Sequence, residues 1–266
     1  MITSRDNPYL KHARAVRKGK VSAEMFIEGL RLCEEAVRSR VNITGVLYTS
    51  DFSLDPRGKA LLAELKDRET ETLLIPEKLL DSVTDTRSPQ GIVILAEKPA
   101  NDRLRLSDAL RENIGGLPLI VVLHEMNNPA NVGAILRTAE AAGAAGAILT
   151  KTSSDPFSPK ALRGSMGGSL RLPIWHDVDY DDALYWCAGH HLLIACADIN
   201  GKFSYTDIDW KKPHALVIGS EAHGLTEQEM VMCDESFRIP MAAPVESLNA
   251  AVAAGIVLYE ARRGAV

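Results

Sequence analysis

The chain of 266 residues is 46% hydrophobic and 24% charged, enough apolar mass for one large core or two modest ones. Its apolar runs are broken by charge or proline before reaching bilayer-spanning length, and Cys33, Cys187, Cys196 and Cys233 are scattered without Cys-x-x-Cys spacing; these features argue against a membrane-spanning helix, a disulfide framework and a zinc site. The formal net charge of −5 disfavours nucleic-acid binding by the chain as a whole, so any such affinity has to be local.

The opening segment, residues 2–8, lacks the apolar core of a secretory signal, and the expected location is cytoplasmic. Residues 7–18 can form a helix, and Arg5, Lys11, Arg14, Arg17, Lys18 and Lys20 crowd this region with only Asp6 against them. That pattern reads as a solvated helix face or as a local basic patch. Glu24–Glu28 is strand-like, and residues 29–38 place Leu30, Leu32, Cys33, Ala36 and Val37 near one helical face. Residues 41–48 and 72–75 are β-rich on either side of a helical stretch at 58–68, and a strand at 90–96 closes a first α/β domain, taken as 1–98. Residues 99–116 carry Pro99, Asn101 and the Gly115-Gly116 pair around a short helix at 106–111, and read as a linker.

Residues 117–266 make a second domain. Leu117–Leu123 is a continuous apolar run of the kind expected for a strand buried on both faces. A helix over Pro129–Ala142 and a strand over 145–150 complete a βαβ unit. Further strands are expected at 172–175, 191–197, 214–218 and 236–239, with helices at 181–188 and 247–263. This alternation predicts a mostly parallel α/β sheet. No Gly-x-Gly-x-x-Gly opens the first βα turn, which argues against a nicotinamide-linked enzyme, and residues 164–168 do not join a strand to a helix in a Walker pattern. His124, His176 and His223 have no metal-ligand spacing, and the His190-His191 pair projects in different directions, so no metal is expected.

Three polar motifs interrupt the second domain. The first is Asn127-Asn-Pro-Ala-Asn131-Val-Gly133-Ala-Ile-Leu-Arg137, the second Gly219-Ser-Glu221-Ala-His-Gly224, and the third Ile239-Pro-Met241 leading through Ser247-Leu248-Asn249 into an apolar helix. Read locally, Ser247 is a helix N-cap and the glycines are turns. In this order and placement, together with Phe157-Ser-Pro-Lys-Ala-Leu-Arg163-Gly-Ser-Met-Gly-Gly168, the motifs resemble those of the SpoU (TrmH-like) branch of the SPOUT RNA methyltransferases, which move a methyl group from S-adenosylmethionine to a ribose 2′-hydroxyl. The resemblance covers the chain from about residue 117 onward. More loosely it covers the first part, where Phe26-Ile-Glu-Gly29 in its α/β setting is similar to the L30e-like substrate-binding domain of many such enzymes.

The resemblance implies a SPOUT-type sheet with a C-terminal trefoil knot, an S-adenosylmethionine cosubstrate without a metal, and a homodimer packed through the catalytic domains. The implied partner is RNA, first of all 23S-type large-subunit ribosomal RNA, with transfer RNA the nearer alternative and a catalytically silent RNA-binding or assembly protein a further one. Arg137 is the implied catalytic arginine, supported by Asn131 and Glu221, with Ser247 and Asn249 hydrogen-bonding near the donor and the target ribose. Ala197, Gly219, Gly224, Ile239, Met241 and Leu248 are implied at the donor site. Arg14, Arg17, Lys18 and Lys20 are the expected RNA contacts of the first domain. A guanidinium stays protonated and is a poor base, so Arg137 is expected to grip an RNA phosphate and steady the developing alkoxide, with a role as base, which the resemblance also implies, as the alternative.

Overall fold

A computed structural model of the chain describes residues 4–86, 88–112 and 117–265. Two compact units result: the first holds the described residues up to Ala100 together with Phe157–Leu170, and the second holds those of Asn101–Pro156 and from Arg171 onward. Ile2, Thr3 and the Gly115-Gly116 pair lie outside the described residues.

In the first unit, strands β1 (Glu24–Glu28), β2 (Ile43–Tyr48), β3 (Thr72–Leu74) and β4 (Ile92–Glu97) form a mixed sheet in the order β1-β4-β2-β3, with only β2 and β3 parallel. Helix Pro8–Arg17 starts where Asn7 Oδ1 accepts from the Tyr9 N–H at 2.9 Å, and it buries Leu10, Ala13 and Val16 against Phe26, Leu47 and Val93. The helix expected from residue 58 begins earlier, as Pro56–Asp67, because Asp55 caps it by accepting from Arg57 and Gly58 N–H groups. A short helix, Ser50–Leu54, capped by Thr49, was not legible from periodicity. Helix Pro159–Ser165 packs on β1, and there the buried Glu28 accepts from the Thr86 hydroxyl and lies 3.9 Å from the Arg163 guanidinium.

The second unit is built on strands β5 (Leu117–Leu123), β6 (Ala144–Thr150), β7 (Ile174–Val178), β8 (Leu193–Ala197), β9 (Phe203–Ser204), β10 (His214–Ile218) and β11 (Glu235–Arg238), in the order β7-β6-β5-β10-β8-β11-β9. Every neighbouring pair is parallel. β6 and β10 are buried throughout, as an apolar run covered on both faces should be. Residues 99–116, read from the sequence as a linker, contain helix Arg103–Glu112, which packs on β6 and β7 and buries Leu106 completely. Gly146 makes room for it, since a Cβ there would stand 2.3 Å from Leu106 Cδ2.

Strand edges moved where the backbone demanded it. His191 adopts φ +59°, so the strand expected from 191 begins at Leu193. Pro173, which has no N–H, lies before Ile174, where the edge strand expected at 172–175 starts. Among the described residues, no helix is long and apolar enough to cross a membrane.

Candidate active site

The parallel order β5-β10-β8-β11 sends the loops after Leu123, Ile218, Ala197 and Arg238 out from one edge of the sheet. In open α/β sheets, ligands bind outside this carboxyl edge. Two helices complete the region: Pro129–Ala142, whose Asn128 cap accepts from the Ala130 N–H at 3.0 Å, and Ala250–Ala265, which packs against it. The packing is close at Gly255, where a Cβ would be 3.8 Å from Thr138 Cγ2.

This packing brings three of the motif residues together. Asn131, buried in the first turn of its helix, donates from Nδ2 to Glu221 Oε1 at 2.5 Å, and its Oδ1 accepts from Asn249 Nδ2 at 3.2 Å. Asn249 Oδ1 in turn accepts from the Ala251 and Val252 N–H groups at 3.0 and 3.3 Å. Asn249, not Ser247, is therefore the cap. The helix expected from 247 starts at Ala250 because the Asn249 carbonyl oxygen reaches its free N–H groups. The result is a relay of aligned amide dipoles running from a helix N-terminus to the exposed Glu221 carboxylate, with both polar ends of the buried Asn131 side chain satisfied.

Glu221 sits on a tight turn. Ser220 and Gly224 exchange backbone hydrogen bonds at 3.2 and 2.9 Å, and the His223 N–H donates to Ser220 Oγ. The turn needs both glycines: Gly224 has φ +68°, and a Cβ on Gly219 would stand 2.7 Å from the Gly224 carbonyl carbon. The end of the loop is fastened by a network that reading the sequence for motifs did not pick out. Thr226 and Glu229 form a capping box, and Glu229 Oε1 also meets His124 Nε2 at 3.0 Å while His124 Nδ1 meets Thr150 Oγ1 at 3.0 Å. The Thr-x-x-Glu spacing was the available signal. Burial pushes the Glu229 carboxyl upward, but the Thr226 N–H and hydroxyl and the neighbouring His124 outweigh it and hold the group below its ordinary value.

Arg137 stands apart from the relay. Six residues along a helix turn the chain by roughly 240° beyond a full turn. Asn131 therefore faces inward and Arg137 is exposed, and it makes no hydrogen bond or ion pair among the described residues, so neither Asn131 nor Glu221 supports it directly as expected. Ser247 is exposed in the loop before the helix, while Ala197, Ile239, Met241 and Leu248 are half-buried. Among the described residues, no three His, Cys, Asp or Glu side chains converge as a metal-binding group.

Within the first unit, the basic cluster splits. Arg14 donates to the Arg5 carbonyl at 2.6 Å and to Ser82 Oγ at 3.4 Å, and Arg17 donates to the Thr84 carbonyl and pairs with Asp85 at 2.8 Å. These two arginines tie the helix to its own unit. Lys18 and Lys20 are exposed without such ties among the described residues.

Comparison with known proteins agrees with this architecture. Residues 118–259 match the SpoU rRNA Methylase family, and residues 26–101 match the family described as RNA 2'-O ribose methyltransferase substrate binding. The chain belongs to the SpoU rRNA methylase family. It is 30% identical over 247 residues to a 23S rRNA (uridine(2479)-2'-O)-methyltransferase of Streptomyces viridochromogenes, covering 91% of this chain and 83% of the relative. The fold superposes on the SpoU methyltransferase AviRb of the same organism in complex with AdoMet, at a TM-score of 0.86 and 29% identity over 97% of both chains. An AdoMet-bound rRNA methyltransferase of Sinorhizobium meliloti gives a TM-score of 0.84 and 30% identity over 100% of this chain and 98% of that one. The α/β architecture with a mostly parallel sheet is thus that of the solved SpoU enzymes, and the chain is an RNA methyltransferase by family.

Proposed function

We propose that the chain methylates a ribose 2′-hydroxyl of large-subunit ribosomal RNA, taking the methyl from S-adenosylmethionine. The observation that carries this reading is the likeness to a 23S rRNA 2'-O-methyltransferase over 91% of this chain, with the substrate-binding and methylase matches following each other in the same chain. The donor supplies an electrophilic methyl on a sulfonium centre. Half-buried Ile239, Met241 and Leu248 offer apolar surface for its purine, and the backbone around Ala197, Gly219 and Gly224 offers polar groups at the carboxyl edge of the sheet. Arg137, exposed and unpaired among the described residues, grips the RNA phosphate next to the target ribose and stabilises charge on the attacking oxygen. The hydroxyl proton leaves to that phosphate or to water, since a guanidinium does not accept it. The relay through Asn131 and Asn249 fixes Glu221 and the loop bearing Ser247 and Leu248, so these residues position the site.

The reading extends to architecture: an L30e-like RNA-binding domain over 1–98, a connector over 99–116, a catalytic domain over 117–266 with a trefoil knot in its C-terminal part, and a cytoplasmic location. It also includes a homodimer through the catalytic domain, for which Val252 and Tyr259 on helix Ala250–Ala265 offer apolar side chains more than half exposed. The test is transfer of labelled methyl into total RNA, followed by size fractionation and digestion to nucleosides. The expected product is a 2′-O-methylnucleoside in the large-subunit fraction. Label in transfer RNA would reassign the substrate, and label on a base, or none, would overturn the reading.

A further inference from the structure

Within the first unit, a cavity of about 630 Å³ opens beside the start of helix Leu30–Arg38, in the size range of small-ligand sites. Its frame is fixed by close contacts. Gln90 Oε1 accepts from the Leu30 N–H at 2.9 Å, and Gly91, at φ +76°, lies where a Cβ would stand 2.8 Å from both Phe52 Cβ and Thr49 Oγ1. Thr49 and Phe52 are buried, and the lining Arg57 is already held by Glu34 through bonds of 3.1 and 2.6 Å. The lining Asp55 is engaged as the cap that accepts from the Arg57 and Gly58 N–H groups, which leaves Arg31, Asp51 and Glu77, all exposed and none with a side-chain hydrogen bond or ion pair among the described residues.

Two available carboxylates against one available guanidinium repel a phosphate. They suit the edge of a base, because carboxylates accept from amino and imino N–H groups while a planar guanidinium stacks on a ring or donates to a ring acceptor. We propose that this cavity holds one unpaired nucleobase of the RNA substrate, a base whose exocyclic amino group donates to Asp51 or Glu77 beside Arg31. The assignment rests on the RNA methyltransferase reading above and gives the first unit a base-reading role in it. All the lining residues fall inside the stretch, 26–101, that matches the substrate-binding family.

The test is analogue interference with the full chain. Large-subunit ribosomal RNA is transcribed with sparse inosine for guanosine, purine riboside for adenosine, or pyrimidin-2-one riboside for cytidine, each lacking the amino group. RNA bound by the wild type is compared with RNA bound by an Asp51→Ala, Glu77→Ala double variant, whose changes sit on the surface and remove both acceptors. Expected is one position at which the missing amino group excludes RNA from the wild-type complex by about tenfold or more, and at which the variant no longer discriminates. The analogue that interferes names the base. The double variant should also raise KM for RNA by a similar factor while kcat at saturating RNA is retained, and Arg31→Ala should weaken RNA binding without moving the interfering position. Identical interference maps for wild type and double variant, or an unchanged KM, overturn the assignment. Methylation by a wild type that shows no amino-dependent position refutes the cavity alone, whereas RNA that is neither bound nor methylated refutes the underlying function as well.

Discussion

Replacing Asn249 by alanine separates its capping role from any contact with substrate. The change removes the acceptor for the Ala251 and Val252 N–H groups, a loss of about 1 kcal/mol for a typical cap. It also strips Asn131 Oδ1 of the donor at 3.2 Å, leaving a buried carbonyl oxygen unpaired at a further cost of about 1–3 kcal/mol. The second unit should therefore lose about 2–4 kcal/mol, which for a domain of this size lowers Tm by roughly 5–15 °C. Asn249→Asp keeps the cap oxygen but not the donor, and should fall between alanine and wild type. Ser247→Ala, at an exposed position without a capping bond, should stay within about 0.5 kcal/mol of wild type. Tryptophan fluorescence is the suitable probe, because Trp175, Trp186 and Trp210 all belong to the second unit and the first unit is silent. Equal melting temperatures for Asn249→Ala and Ser247→Ala would refute the relay and return the cap to Ser247.

Arg137→Ala should cut methyl transfer by about a hundredfold or more while donor affinity measured by calorimetry stays close to wild type, and Arg137→Lys should recover little because an ammonium lacks the planar fork. Lys18→Ala and Lys20→Ala should each reduce the salt slope of RNA binding by about one without lowering stability, whereas Arg17→Ala should destabilise the first unit by breaking its ties to Thr84 and Asp85; urea melts and salt titrations distinguish the two groups. Glu229 is held below its ordinary value in the fold, so its contribution is fully present above the unfolded carboxyl pKa and is lost as pH falls through the lower folded value. Glu229→Gln should accordingly lose stability at neutral pH and show a flatter loss on acidification, and acid melts of the two proteins with the same slope would contradict it.

Much of the sheet was readable because buried parallel strands announce themselves as unbroken apolar runs: Leu117–Leu123 and His214–Ile218 start and end where the pattern does. Helix Pro129–Ala142 was equally legible, bounded by a proline at its first turn and by Gly143 in the left-handed region. What escaped was decided by side chains acting across space. Periodicity alone could not choose between Ser247 and Asn249 as the cap, since either can accept from the first turn; the choice depends on Asn131 standing beside Asn249. Arg14 and Arg17 look like free positive charge in sequence, and only the carbonyls of Arg5 and Thr84 reveal that they are used internally. The helix at 103–112 was legible only over 106–111, and its packing on the sheet escaped because a single residue, Leu106, carries its fully buried contact.

The most direct measurement of the central claim is a mass-spectrometric map of ribose methylation in large-subunit ribosomal RNA from cells lacking the gene, complemented with wild type or with Arg137→Ala. One 2′-O-methyl group should be missing without the gene, return with the wild type, and stay missing with Arg137→Ala. A ribose-methylation map identical in the presence and absence of the gene, or full restoration by Arg137→Ala, would contradict the account.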